Sequence, residues 1–301
     1  MNEEKKMDAT VCCASCGIAE VDDIKLVPCD GCYLVRYCSD ECREDHKSDH
    51  EEACKKRAAE IREELLFKQP EGTHLGDCQI CSLPLPIDWK FILKSCCSKF
   101  ICDGCLLANL WREKERRLQH TCPFCREPMS TTKEEDDKLR MKRVEANDPD
   151  AMCKHGVEEY NKGDFRSAFE YFTKASEFGH AEAHFKLAML YETGEGVEKD
   201  EGKEMYHYEE AAIGGHPNAR YNLGCVEWEN NDNTERAVKH WIISATLGEG
   251  DSIKILREFY ESGDISKKEF ASALRAYQTA VVATQSPQRK DAEEFFRGID
   301  D

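Results

Sequence analysis

Sixteen side chains between residues 13 and 125 have the types and spacing of metal ligands. One series runs Cys78-x2-Cys81, Cys96-Cys97, Cys102-x2-Cys105 and Cys122-Pro-Phe-Cys125. An earlier one runs Cys13-x2-Cys16, Cys29-x2-Cys32, Cys38-x3-Cys42 and His50-x3-Cys54. Two residues between thiols let one tight turn present both sulfurs to one tetrahedral ion. Soft thiolates with an imidazole suit zinc, which needs no redox change. Four closed sites, and so four zinc ions, are expected. If alternating pairs share an ion, Cys78, Cys81, Cys102 and Cys105 hold one. Cys96, Cys97, Cys122 and Cys125 hold a second. Cys13, Cys16, Cys38 and Cys42 hold a third, and Cys29, Cys32, His50 and Cys54 the fourth. Cys12, His46 and His120 are spare donors, read as surface residues. Interleaving of this kind braces segments too short to bury a core of their own.

Of 18 cysteines, only Cys153 and Cys225 lie beyond Cys125. The opening Met1-Asn-Glu-Glu-Lys-Lys leads into no apolar signal core, and no run approaches the length of a membrane span. Cysteine pairs in a chain read as intracellular, cytoplasmic or nuclear, favour metal over disulfide. The net charge of -18 is unevenly spread. Residues 1–70 carry 11 basic and 17 acidic side chains, net -6; residues 71–130 carry 8 and 7, net +1; residues 131–301 carry 23 and 36, net -13. Such a chain is a poor partner for nucleic acid, whose affinity comes largely from phosphate neutralisation, and for an anionic membrane.

The elements that position these ligands can be read next. The x2 pairs call for knuckle turns. The x3 spacings fit one helical turn, which places Cys38/Cys42 and His50/Cys54 on short helices. Residues 43–69 mix charges densely and read as a solvated helix ending before Pro70. Residues 130–146 read as a charged, solvated helical linker. Self-similarity follows. Phe178-Gly179-His180-Ala181-Glu182-Ala183 answers Gly214-Gly215-His216-Pro217-Asn218-Ala219. The register residues Ala151, Ala183, Ala219 and Ser252 are spaced by 32, 36 and 33. A period near 35 with two apolar helical patterns per unit predicts a solenoid of helix pairs. Gly163, Gly194, Gly196 and Gly263 would break helices within repeats. Cys153 and Cys225 read as small buried hydrophobes. Residues after Gln285 read as a polar tail in which Phe295-Phe296 could dock as a cap.

Three family resemblances follow from these residues. Residues 13–54, with the phrase Arg36-Tyr37-Cys38-Ser39-Asp40-Glu41-Cys42, resemble the MYND zinc finger, a protein-interaction module. The segment from about Asp77 to Pro128 resembles a RING finger in its all-cysteine variant. RING ubiquitin ligases hold no nucleophile; they position the thioester of a ubiquitin-conjugating enzyme. That resemblance implies an apolar docking groove using Ile80, a residue of the following helix among Leu107, Leu110 and Trp111, and Pro123. It implies that Arg126, directly after the last ligand, orients the conjugate. The unit around Leu187, Tyr191, Gly194, Gly196-Val197, Asp200, Glu210-Ala211-Ala212 and Gly215 resembles the Sel-one-like repeat, a relative of the tetratricopeptide repeat.

The expected architecture is small zinc-stabilised α+β modules followed by an all-α helical-repeat solenoid. Its parts are a MYND-like finger over 10–54, a helical linker over 55–73, a RING-like finger over 74–130, a charged linker over 131–147, repeats over 148–284 and a tail over 285–301. The expected function is a zinc-binding interaction protein, a ubiquitin-ligase-like adaptor whose repeats hold a protein partner. A non-catalytic scaffold is the alternative, favoured by Lys99 standing near the usual RING histidine and by the adjacent Cys96-Cys97.

Overall fold

In the computed structural model, which describes residues 12–21, 23–88, 90–229 and 233–300, each Cys-x2-Cys pair before a knuckle closes the same turn. The residue after the second cysteine donates its N–H to the carbonyl of the first. These bonds are Gly17 to Cys13 at 2.9 Å, Tyr33 to Cys29 at 2.9 Å, Ser82 to Cys78 at 2.8 Å and Arg126 to Cys122 at 3.0 Å. The donor in each case is left-handed, with φ of 75° at Gly17, 58° at Tyr33, 55° at Ser82 and 65° at Arg126. Only Gly17 occupies that region without steric cost. Residues 10 and 11 of the expected first module lie outside the described residues, as does residue 301.

The chain forms two compact units that divide between Lys68 and Gln69. In the first, strands β1 (Val27–Pro28) and β2 (Arg36–Tyr37) pair antiparallel. Cys13, Leu26 and Tyr37 form its small core. Ser39 caps α1 (Asp40–Asp45) by accepting from the Cys42 N–H at 3.2 Å. That cap leaves Cys38 just outside the helix, so only Cys42 of the expected pair is helical. His50 and Cys54 share a face of α2 (Lys47–Leu66), a 20-residue helix and not the short one expected.

The second unit begins with the central cysteine module. Strands β3 (Phe91–Lys94) and β4 (Lys99–Cys102) pair from Phe91↔Cys102 to Lys94↔Lys99. They lead into α3 (Asp103–Glu115). Cys78, Leu85, Phe91, Ile101 and Leu106 are buried together, with Phe296 packed against them. Phe296 belongs to α13 (Pro287–Asp300), which lies along α3. The expected polar tail after Gln285 therefore holds a helix, and its Phe296 docks on the central module. A Cβ at Gly104 would meet the Arg289 backbone nitrogen at 2.8 Å, so glycine sets the closeness of that crossing.

The segment read as a solvated linker also packs. Helix α4 (Lys133–Glu145), capped by Thr132, lies on the first repeat helix and buries Arg140 and Val144. Arg140 is 3% exposed yet compensated by Asp137, by Glu158 at 2.6 Å and by Asp136 at 3.5 Å.

Four helix pairs follow among the described residues. They are α5 (Pro149–Asn161) with α6 (Phe165–Ser176), and α7 (Ala181–Thr193) with α8 (Glu201–Ile213). Then come α9 (Pro217–Glu229) with α10 (Thr234–Thr246), and α11 (Gly250–Ser262) with α12 (Lys267–Ala283). The register residues Ala151, Ala183, Ala219 and Ser252 are all 1% exposed or less. Each is the third residue of its helix, and its N–H is taken by the cap side chain of Asp148, His180, His216 or Glu249. Five residues on, Gly156 and Gly224 leave room for Phe172 and Trp241 from the second helix of each pair. Cys153 is buried, and Cys225 is partly buried against the Trp241 cluster.

Candidate metal centres and the histidine ladder

The structure gathers the sixteen expected donors into four groups of four, each within 4.8 Å of one another: Cys13, Cys16, Cys38, Cys42; Cys29, Cys32, His50, Cys54; Cys78, Cys81, Cys102, Cys105; and Cys96, Cys97, Cys122, Cys125. The grouping interleaves in both modules. Four sulfurs around one zinc at about 2.3 Å stand about 3.8 Å apart. The separations here are 3.6 Å for Cys16–Cys38, 3.6 Å for Cys29–Cys54, 3.8 Å for Cys81–Cys102 and 3.8 Å for Cys97–Cys122. Every one is far beyond a sulfur–sulfur bond. His50 turns Nε2 to Cys32 at 3.1 Å, which identifies the nitrogen available to an ion.

Protonation favours the same conclusion. Burial and the neighbouring Cys125 push the Cys96 thiol up, and burial with Cys102 does the same to Cys105. Against its own burial, Cys78 is held down at about 7 by backbone N–H groups at Cys102 and Cys81. Thiols this close cannot all ionise alone; a dication among them stabilises four thiolates at once. Multiple zinc ions fit these donor sets.

The spare donors stand apart from the four groups. Cys12 is exposed. His46 takes a hydrogen bond with Tyr37 Oη at 3.2 Å and stacks on His50 at 5.8 Å. His120 meets Glu113 Oε2 at 2.9 Å, and the Thr121 N–H meets Glu113 Oε1 at 3.3 Å. Burial would raise the Glu113 carboxyl, but these bonds outweigh it and hold it below the usual range. Glu113 thus pins the segment entering Cys122, a role invisible in spacing alone.

Of the expected partner-binding residues, Ile80 is 47% exposed and Trp111 44%, while Pro123 is half-buried and Arg126 exposed. Leu107 is 2% exposed and belongs to the interior, not to a groove. Leu110 packs against the module core. Trp111 meets Phe295 of α13 edge-on at 6.1 Å.

A further polar arrangement links the repeats. His180 caps α7 with Nδ1 and reaches Asp150 of the preceding repeat with Nε2 at 3.1 Å. His216 repeats this on α9, reaching Glu182 at 2.9 Å. His74, at the start of the central module, stacks on His216 at 4.3 Å, its backbone N–H donates to the Gly215 carbonyl at 3.1 Å, and its Nε2 lies 3.4 Å from Glu182 Oε2. His74, Glu182 and His216 offer three donors within 4.8 Å, but they make a poor metal site. Nδ1 of His216 accepts the Ala219 N–H, so Nε2 carries the proton and donates to Glu182. The rings of His74 and His216 lie 15° from parallel, so their in-plane lone pairs do not converge. Burial drives His216 down to about 4, against the pull of Glu182, which keeps it neutral.

Comparison with known proteins now divides the chain. Residues 13–54 match the MYND finger. Residues 149–180 and 181–216 match the Sel1 repeat. The mouse protein DAP3-binding cell death enhancer 1 is 25% identical over 180 residues, which cover 47% of this chain and 35% of that protein. The chain thus spans about a third of the length of that curated relative. A Sel1 repeat protein from Oxalobacter formigenes is 23% identical, with a TM-score of 0.44, covering 59% of this chain and 72% of the other. The uropathogenic Escherichia coli antigen c5321, described as displaying an SLR fold, is 21% identical with a TM-score of 0.39, covering 55% and 37%. Among the described residues no helix is long and apolar enough to cross a membrane. The chain thus carries one segment similar to the MYND finger and two similar to the Sel1 repeat.

Proposed function

We propose that each group of four donors holds one zinc ion and that the central module is a RING-type finger in a ubiquitin-ligase-like adaptor. The observation that carries this is the interleaving of two four-cysteine groups across residues 78–125, with Ile80 and Arg126 exposed on its knuckles. Ile80 and Pro123 would receive a ubiquitin-conjugating enzyme, with Trp111 at the margin. Arg126 would hydrogen-bond enzyme and ubiquitin together, because a planar guanidinium can bridge two carbonyl surfaces. The chain itself supplies no nucleophile, so any rate gain comes from positioning. The repeats would hold the substrate or another protein partner.

The test is in-vitro ubiquitination with a panel of conjugating enzymes. Arg126→Ala should retain zinc and enzyme binding but lose most ubiquitin transfer. Ile80→Ala should lose enzyme binding, since it removes an apolar anchor. If no enzyme binds the wild type, the second reading, a non-catalytic scaffold, replaces the first. That reading has its own support in the edge-on packing of Trp111 against Phe295, which occupies part of a candidate docking side chain.

A further inference from the structure

Between the central module and the first two helix pairs lies a cavity of about 660 Å³. This is within the range of small-molecule sites. Phe91, Leu93 and Phe100 wall it on the hairpin side, with Leu106 of α3, and Leu139 and Val157 on the repeat side. Phe91 and Phe100 meet edge-on at 5.4 Å, which fixes that wall. The charges around the space cancel. Asp136, Asp150 and Glu182 stand against Lys94, Lys154 and Lys186. Each acid is also engaged individually. Asp136 accepts from Ser95 Oγ at 2.8 Å and Ser130 Oγ at 3.1 Å, and pairs with Arg140 at 3.5 Å. Asp150 meets His180 at 3.1 Å. Glu182 meets His216 at 2.9 Å, Lys186 at 3.3 Å and His74 at 3.4 Å. Of the other two lysines, Lys154 is exposed to water. Lys94 lies two residues from Cys96, whose group of four thiolates is anionic when it holds zinc and borders the same wall.

We propose that this cavity binds an uncharged, hydrocarbon-rich ligand of the long-chain alcohol type, held by its apolar walls. A carboxylate or an ammonium entering the space would shed its hydration and find the counter-charges already in use. An uncharged chain meets no such cost, and it removes the facing walls of Phe91, Leu93, Phe100, Leu106, Leu139 and Val157 from water. Water itself is a poor occupant. It needs several polar partners, and the acids around this space are bonded to one another's neighbours instead. A peptide segment is a poor occupant for the opposite reason. It would bring backbone N–H and C=O groups that apolar walls cannot satisfy. The selection is therefore for shape and lack of charge. It does not follow from the net charge of -18, which favours cations everywhere on the surface.

The experiment uses the zinc-loaded full chain and calorimetric titration with 1-decanol, decanoate, decyltrimethylammonium and a Leu-Phe-Leu peptide blocked at both ends. Decanol should bind one per chain, at least 10-fold tighter than either charged molecule of equal chain length. Its binding heat should become more favourable as temperature rises, the mark of apolar burial. Val157→Trp should weaken decanol by 10-fold or more by filling the space, with zinc content and helicity checked. The wild-type ranking needs no variant and decides the matter even if that one misfolds. Absence of saturable decanol binding, or a folded Val157→Trp that binds like wild type, would overturn the proposal. So would equal or tighter binding of decanoate or of the ammonium, which would mean adsorption or a charged site. Tighter binding of the peptide than of decanol would overturn it in favour of a protein segment as occupant.

Discussion

Arg126 combines two demands at one position. Its backbone must be left-handed for the knuckle to close, and its side chain is exposed. A non-glycine residue there carries roughly 1 kcal/mol of strain. Arg126→Gly should therefore raise the melting temperature of the zinc-loaded protein slightly and leave zinc content unchanged, whereas Arg126→Ala should alter stability little. If glycine lowers stability, the side chain contributes packing or pairing beyond what its exposure implies. Glu113 poses the opposite case, a buried carboxylate serving the fold. Glu113→Ala leaves the Thr121 N–H and His120 without their acceptor and should cost about 1–3 kcal/mol, read by chemical denaturation of the zinc-loaded chain.

Helix α13 makes the central module depend on residues far along the chain. Arg289 donates to the Pro84 carbonyl at 2.6 Å, the Thr284 carbonyl at 2.6 Å and the Leu83 carbonyl at 3.1 Å, and places Nη2 3.5 Å from Cys81 Sγ. A cation beside a four-thiolate site offsets part of its negative charge and orients a ligand. Arg289→Met should speed zinc release to a chromogenic chelator from one ion equivalent of the four, leaving the other three unchanged. Gly104→Ala should act in the same direction by forcing α3 and α13 apart. Equal release kinetics in both variants would show that α13 rides on the module without bracing it. This dependence also marks the limit of legibility. Ligand types and the spacing of Cys78 to Cys125 are local, so the donor groups can be read from the chain. The Cys38 helix boundary was missed because Ser39 is the better cap. Arg289, His74 and Arg140 look like ordinary solvated residues in sequence, because their partners lie in other elements. The repeat register was legible because small residues recur at Ala151, Ala183 and Ala219. The ladder of His180 and His216 was not, because its acids sit one repeat earlier.

Across the whole molecule, buried neutral histidines set an acid limit. Burial lowers His216 from 6.5 to about 4, beside Glu182, His74 and Lys186. Burial, with Arg220 and Arg236, lowers His240 to about 3. Below pH 6.5 the unfolded chain takes up protons that the folded chain refuses until far lower pH, so stability falls as pH drops through that window. Glu182, held well below the usual carboxylate range, adds to the loss at its acidic end. For His216 the effect is of the order of 3 kcal/mol by pH 4. His216→Asn keeps a capping side chain and should flatten the dependence between pH 6.5 and 4, measured as urea midpoints against wild type. The acidic surface makes a second demand. With net -13 over residues 131–301, a partner held by the repeats should present a basic face. Its capture should weaken as salt rises; capture insensitive to salt would leave the charge to solubility alone.

The tie between Arg289 and Cys81 spans 208 residues of chain. On the ribosome, the central module's last ligand emerges long before its brace. At about 5–20 residues per second, the 164 residues from Cys125 to Arg289 take roughly 10–30 s to synthesise. During that interval the nascent module would have its α3 face still uncovered and Cys81 without the Arg289 contact.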